Sequence, residues 1–523
     1  MGALLPCGSR DKAPPKRPVD LSAAWRRAAE VPPLPGPNEE LEELLGERFQ
    51  TPQKAEYHRA RGVLGIDDVA WDGLYRATWN PDSTGFPCAI CSVQSVAEVQ
   101  RVVKYAAQHC LPVQVRLCVA AGRHSHMCML DNTLVLDLQG LSSVEVFPDL
   151  HLAKVQGGAQ QGQLDVACEP HGLATTAGHN ASTGCGGLIL QGGHGFLERM
   201  FGLVIDNLVE VELVLANGEL VKANANEHHP ELFWAIRGGG GNFGVVVSFT
   251  LRLHPLGPVY AGTQIHAAQG AGEREELLTK FFEKTVNGPD EATGLVVLPC
   301  GGPMIEMLLW VGAPSQGQEY FQRRASGPLL SDTMGVKSYH NDVQRFSDPD
   351  GNGKAVYQTG VLLPEWSKEA AAKISELVSS RAPNASSAIL LLPLGGAVMH
   401  MRPEATAYCF RSMKVWVLVS GQFEVNSEDR SKVVKWAREV RHELLPFSAG
   451  AGYGALDESA QHDAATFAQD ESEGGAIGIF TNTVQINKER NIFGSNLGRL
   501  QQIKAKYDPN NVFRANDNIV PAS

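Results

Sequence analysis

Apolar residues along this chain recur at two periods, and each change of period marks an element. Between Ser95 and Gln108 the apolar positions are 96, 99, 102, 103 and 106, which predicts a helix with one buried face. Ser95 and Glu98 form a capping box at its start. After Leu111 and Pro112 the alternation of Val113, Val115 and Leu117 predicts a strand, and Thr133 to Leu138 predicts another. Alternation returns at 209, 211, 213 and 215 and stops at Asn217-Gly218, a strong hairpin signal. A helix follows from Pro230, which suits a first helical turn, and then a strand from Val245. Strands and helices do not alternate regularly, so the fold class is α+β.

Outside that region the text changes. Residues 1–50 are rich in Pro and charge and predict a flexible arm, with organised sequence beginning near Ala70. Beyond Pro255, strands are expected from 294, 304, 388 and 413, and helices near 273–286, 367–380 and 428–443. This reads as a second domain over 258–475, an antiparallel sheet backed by helices. The tail from Asn496 is one amphipathic helix stopped by Asp508-Pro509.

One stretch fits neither period. Ala177 to Gly202 carries glycines at 178, 184, 186, 187, 192, 193, 195 and 202, interleaved with Leu188, Ile189, Leu190, Phe196 and Phe201. Flexible linkers are poor in apolar residues, so this backbone is expected to lie buried against something large. Gly239-x-Gly241-x-x-Gly244 matches a dinucleotide fingerprint in letters, but a helix precedes it and a strand follows, the reverse of what that motif needs. No GxxxxGK[ST] sequence occurs. The turns at 120–125, 177–195 and 238–244 can still present concave sets of backbone N–H groups, which bind a pyrophosphate without Lys or Arg.

Composition narrows the partners. With 523 residues, 43% of them hydrophobic, the chain can bury two or three cores. A formal net charge of -12 argues against nucleic acid and anionic membranes, and leaves a small molecule as the expected partner. The ten cysteines lack framework spacing and read as buried free thiols; Cys88 and Cys91 are a lone CxxC without a second pair. His124-x-His126 and His228-His229 have no third ligand at helical spacing, so no metal is expected. The N-terminus lacks a secretory pattern and the longest apolar run, near Ala388 to Met399, is too short to span a bilayer, so a soluble, cytoplasmic protein is expected.

The glycine blocks resemble the FAD-linked oxidases of the berberine bridge enzyme type. Their flavin domain is the one named after p-cresol methylhydroxylase and vanillyl-alcohol oxidase. The matching text is Pro112 to Arg116, Gly122 to Ser125, Gly184 to Gly195, Phe201 to Asn207, Glu231 to Val246 and Tyr507 to Asn516. The resemblance implies a bilobal fold, with an FAD-binding domain over 51–257, a substrate domain over 258–475 and a segment 476–523 returning to the first. It also implies that FAD contacts Gly122, Arg123, His124, Ser125, Gly178, Thr183, Gly184, Gly186, Gly187, Gly193, Val246 and Asn482, and that His124 bonds covalently to the flavin 8α-carbon.

Three departures from the family pattern bear on chemistry. Asn180 stands where many relatives carry a second, cysteinyl attachment, which implies one covalent link at most. Arg123 stands where a second glycine is usual. Phe480-Thr481-Asn482-Thr483 replaces a Y-x-N-Y motif, so both phenols are missing, and Thr483 has no usable pKa for a base. Candidate proton acceptors are Tyr408 and Arg411 in ATAYCFR, which resembles a substrate-facing strand, along with His400; Glu424, Tyr357 and His194 are further candidates. The expected activity is hydride abstraction from a C–H beside O or N of an alcohol, sugar or amine, with electrons passing to O₂ and H₂O₂ formed. A dehydrogenase using another acceptor and a flavin-binding protein without turnover are the alternatives.

Overall fold

The computed structural model of the chain describes residues 30–52, 78, 85–268, 270–344, 354–380, 383–424, 427–448 and 493–523. The flexible arm expected up to residue 50 is packed from Val31 onward. Helix α1 (Asn38–Leu45) buries Leu41 and Leu45, and strand β1 (Phe49–Gln50) pairs antiparallel with β2 (Ala89–Ser92). Local composition hid this, because Pro and charged residues surround the few apolar positions: Leu34, Leu41, Leu45 and Phe49 meet one core. Arg48 grips the Glu98 carboxylate through two bonds of 2.7 Å, and Tyr105 donates to the Pro35 carbonyl at 2.7 Å.

Helix α2 (Val96–Tyr105) begins where the capping signal put it, with Ser95 Oγ accepting from Glu98 N. Glu98 also accepts from Gln94 N and Arg48. The helix runs on through a wider turn at Ala106–Cys110 and a 3-10 turn at Leu111–Val113. The strand expected at Val113 therefore starts later, as β3 (Arg116–Ala120), after Gln114 turns the chain at φ 64° and leaves Val113 exposed. Strands β2 and β3 flank β4 (Thr133–Asp137), both parallel to it.

A second sheet has the order β5-β6-β10-β8-β9 and is antiparallel throughout. Its strands are β5 (Val144–Phe147), β6 (Leu152–Gln156), β8 (Leu208–Val214), β9 (Leu220–Asn224) and β10 (Val245–Arg252). Between β6 and β8 lie helix α3 (Gln161–Cys168), the short strand β7 (Leu173–Ala174), helix α4 (Cys185–Leu190) and the single turn α5 (Glu198–Phe201). Helix α6 (Pro230–Ile236) precedes the 238–244 glycines and β10 follows them, the context that rules out a dinucleotide fingerprint. Strand β11 (His254–Pro255) closes this lobe against β7.

The second lobe is one antiparallel sheet ordered β15-β12-β14-β13-β18-β19-β17, with β16 also on β12. In chain order its elements are β12 (Val259–His266), helix α7 (Ala271–Lys284), β13 (Ala292–Pro299), β14 (Met304–Trp310), helix α8 (Pro314–Arg323), β15 (Ser331–Asp332) and β16 (Gly335–Lys337). They continue with β17 (Lys354–Leu363), helix α9 (Lys368–Ser380), β18 (Ala388–Pro393), the single turn α10 (Ala397–His400), β19 (Val415–Glu424) and helix α11 (Asp429–Leu444). Val296, Ile389, Val417 and Val419 meet Phe281, Ile374 and Trp436 of the helices, while Met307, Leu392, Trp416 and Leu418 on the other face meet Phe196 and Leu197 of the glycine-rich stretch. Strands β12 and β17 were not expected: glycine and glutamine interrupt VYAGTQIH and KAVYQTGVLL and break the apolar run.

Helix α12 (Leu497–Tyr507) returns to the first lobe. Lys504 is fully buried there, and its ammonium donates to Asn242 O at 2.6 Å, Asp508 at 2.6 Å and Phe513 O at 2.9 Å. Asn242 in turn donates to Gly239 O and Asp517 O and accepts from Ile519 N, so the tail and the 239–242 turn form one clasp. No helix among the described residues is long and apolar enough to cross a membrane.

Candidate functional site

Two glycine loops meet at the end of β3. A Cβ placed on Gly122 would lie 2.1 Å from Gly184 N, and one on Gly184 would lie 2.2 Å from Gly122 N. Each must be glycine because the other's backbone fills the space of a side chain. The second loop is fastened beneath by three backbone bonds, Gln161 N to Thr183 O, Gly162 N to Ala181 O and Cys185 N to Ala159 O, all 2.8–2.9 Å. Gly186 presses on Gly157 O, and Gly157 presses on the carbonyl of Val246, so Val246 lies buried one layer below the loops.

His124 sits at this junction, its Nε2 3.0 Å from Ser182 Oγ. Burial pushes the imidazole down to about 4, so the ring is neutral at pH 7. Arg123 takes a left-handed conformation at φ 56° and buries its guanidinium against Asp137 at 2.8 Å. Ser125 folds its hydroxyl back to Met127 N. Gly178 receives the Gln344 amide from the second lobe, and Gly193 turns at φ 78° against Val204. Gly187 is exposed, with open space where a side chain would stand. Of the expected cofactor residues, Gly122, Arg123, His124, Ser125, Thr183, Gly184 and Gly186 are therefore drawn together, while Asn482 and its neighbours 480, 481 and 483 lie outside the described residues.

Beside Ser182 a cleft of about 450 Å³ opens, lined by Gln160, Gly162, Gln163, Asp165, Ala181 and His340. His340 comes from the second lobe, so both lobes contribute to the wall. The amides of Ser182, Thr183 and Cys185 are bonded within the loops, so what the junction offers a flavin is closely approached glycine backbone and a neutral imidazole.

The three expected catalytic residues are not gathered there. Tyr408 and Arg411 occupy irregular chain before β19 rather than the strand that ATAYCFR predicted, because residues 404–411 are spent on docking. Tyr408 N bonds Arg237 O, Trp234 Nε1 bonds Glu404 O, and Arg237 bonds Ala405 O. The Tyr408 ring lies where a side chain on Gly192 would project, 2.9 Å from that Cβ, and its backbone blocks Gly238 in the same way. Its hydroxyl meets His194 Nε2 at 2.7 Å, and His194 Nδ1 meets Glu198 at 2.6 Å, all three residues being buried. Burial also raises the phenol well above its ordinary value.

Arg411 is buried and holds Asp206 through bonds of 2.7 and 3.0 Å, with Thr406 Oγ1 at 2.8 Å. It is committed to an internal ion pair rather than presented to a substrate carboxylate. His400 ends the α10 turn and is exposed. Glu424 is exposed at the end of β19, and the Tyr357 hydroxyl accepts from Arg438. The partners Glu198 and Ser182 were not singled out from sequence. The i,i+4 spacing of His194 and Glu198 was the available signal for the first, and nothing local signals the second.

The chain is similar to known FAD-linked proteins. Residues 87–224 match the model of an FAD binding domain, and 453–520 match the berberine and berberine-like model. An FAD-linked oxidoreductase of Dictyostelium discoideum is 28% identical over 445 residues, covering 85% of this chain and 91% of that one. The (R)-6-hydroxynicotine oxidase of Paenarthrobacter nicotinovorans is 26% identical over 481 residues, covering 88% and 96%. Among solved structures, BBE-like 1 of Physcomitrella patens superposes with a TM-score of 0.74 at 21% identity, covering 93% of this chain and 100% of that one. A chitooligosaccharide oxidase gives 0.73 at 20% identity, covering 96% and 100%.

Proposed function

The chain belongs to the FAD-linked oxidoreductases of the berberine bridge enzyme type, and on that premise we propose that it oxidises a C–H bond next to oxygen or nitrogen in a small alcohol, sugar or amine, using O₂ as acceptor and releasing H₂O₂. Bound FAD supplies the two-electron acceptor for this chemistry. The protein's part is to position the cofactor, exclude water and take up a proton. The observation that carries the reading is the interlocked contact of Gly122 with Gly184 beside a buried, neutral His124.

His124 is the proposed tether to the flavin: a neutral imidazole has a lone pair to bond carbon, whereas a protonated one has none. Gly122, Arg123, Ser125, Thr183, Gly184 and Gly186 offer backbone around it, with Gly178, Gly187, Gly193 and Val246 along the same wall or beneath it and Asn482 from the C-terminal part. Tyr408 and Arg411 serve as docking residues between the lobes, holding the wall at 192–198 through His194, Glu198 and Asp206. His400 is available to solvent.

The test is a visible spectrum before and after acid precipitation, followed by photoreduction and mixing with air. A yellow protein whose pellet stays yellow supports FAD and the tether together, and a colourless pellet removes the tether. Fast reoxidation with peroxide release supports an oxidase. Slow reoxidation that quickens with a quinone dye would overturn that part in favour of a dehydrogenase.

A further inference from the structure

We propose that Asn180 and Ser182 are positioning residues that set the tautomer of His124 for its bond to the flavin. The inference rests on the tether proposed above, and three contacts carry it. Asn180 Oδ1 accepts from Ser182 N at 2.9 Å and from Ser182 Oγ at 2.7 Å. The same Oγ stands 3.0 Å from His124 Nε2. A serine hydroxyl has one proton to donate. With that proton committed to Asn180, the oxygen can meet the imidazole only as an acceptor, so Nε2 bears the ring hydrogen. In a ring that burial keeps neutral, the lone pair then resides on Nδ1.

The surroundings make this seat rigid. Asn180 closes its own turn through the Thr183 N bond to Asn180 O, and the backbone bonds at Ala181, Thr183 and Cys185 tie the turn to residues 159–162. On the other side, Arg123 is locked at φ 56° by its buried pair with Asp137. The ring is thus held between two fixed loops, and Ser182 reaches it from one of them.

The chemistry balances. Bond formation joins Nδ1 to the methyl carbon at position 8 of the flavin ring, and a C–H bond of that methyl breaks with loss of its proton. The Nε2 proton is also released, which restores a neutral, now substituted imidazole. The electron pair left on the ring system passes with two protons to dioxygen and gives hydrogen peroxide. Ser182 lies at the nitrogen from which the second proton departs, so it both fixes the starting tautomer and stands at the exit of that proton.

The experiment follows covalent flavin after apoprotein is mixed with FAD in air, read as flavin absorbance retained in acid-precipitated protein over time. Ser182→Ala and Asn180→Ala should slow incorporation by about 10- to 100-fold, while initial noncovalent FAD binding, read by fluorescence quenching, stays within about threefold. Ser182→Thr, which keeps the hydroxyl, should restore the rate. ¹⁵N shifts of histidine-labelled apoprotein should report Nε2–H at His124 in the unsubstituted protein and loss of that preference in both alanine variants. Incorporation at the unaltered rate in both alanine variants would overturn the proposal. Should the unsubstituted protein bind FAD without bonding it, the tether reading fails separately, and the tautomer measurement decides: an unchanged His124 signal in Ser182→Ala refutes the seat, and a changed one supports it.

Discussion

Replacing Tyr408 with Phe separates a docking role from a catalytic one. The ring stays to fill the space against Gly192, and only the oxygen that meets His194 Nε2 at 2.7 Å is lost. A buried hydrogen bond removed on one side costs about 1–2 kcal/mol, a shift of roughly 5- to 30-fold in the folded-to-unfolded ratio. His194→Leu should cost more, about 3–5 kcal/mol, because Glu198 then keeps a buried carboxylate with only Gly195 N left near it. Urea unfolding followed by tryptophan fluorescence measures both, since Trp416 lies beside His194 with ring centroids 6.4 Å apart. In a docking role, Tyr408→Phe lowers the unfolding midpoint and changes the rate of anaerobic flavin reduction by less than about tenfold. Loss of a general base instead lowers that rate by about 10²–10⁴-fold. A rate loss of that size with an unchanged midpoint would refute the docking role.

Gly122→Ala should displace the His124 loop, since its Cβ would fall on Gly184 N; the expected cost is about 1–3 kcal/mol with loss of covalent flavin, checked by unfolding and by acid-precipitated absorbance. Lys504→Met leaves Asp508 and two carbonyls without their cation and should destabilise by about 3–5 kcal/mol, whereas joint replacement of Lys504 and Asp508 by Met and Leu should recover part of it in a double-mutant cycle. The apoprotein should lose stability in mild acid. His124 in the folded state titrates at about 4, below the ordinary unfolded value of ~6.5, so the loss begins as pH falls past the higher value and is complete below the lower one. It amounts to about 3 kcal/mol from this residue, and His124→Gln should flatten that part of the stability profile.

Much of the first lobe was legible because its elements announce themselves locally. Ser95 caps a helix, Asn217-Gly218 turns a hairpin with Gly218 at φ 79°, and Pro230 opens α6. The packed segment at 31–49 was not legible, because its Pro and acidic residues read as solvated chain even though Leu41, Leu45 and Phe49 recur every four residues and join one core. At the site, the glycines pointed to close backbone approach but not to which backbone; Gly122 and Gly184 lie far apart in sequence and meet only in the fold. Tyr408 and Arg411 were read as chemistry because ATAYCFR resembles a substrate-facing strand of the family. Their burial and their partners His194 and Asp206 could be assigned only once the lobes were seen to meet. Ser182 had no local signal at all, since a serine in a glycine turn is ordinary until an imidazole from another loop rests on it.

The Lys504 clasp has a consequence for the order in which the protein matures on the ribosome. The 239–242 turn depends on an ammonium from Lys504 and on backbone from Asp517 and Ile519, which follow it by 262 to 277 residues. A nascent chain in which those later residues are not yet made cannot close this turn. A chain cut before Asp517 would keep every strand of the second sheet, the last of which ends at Glu424, yet lack the groups that hold the 239–242 turn.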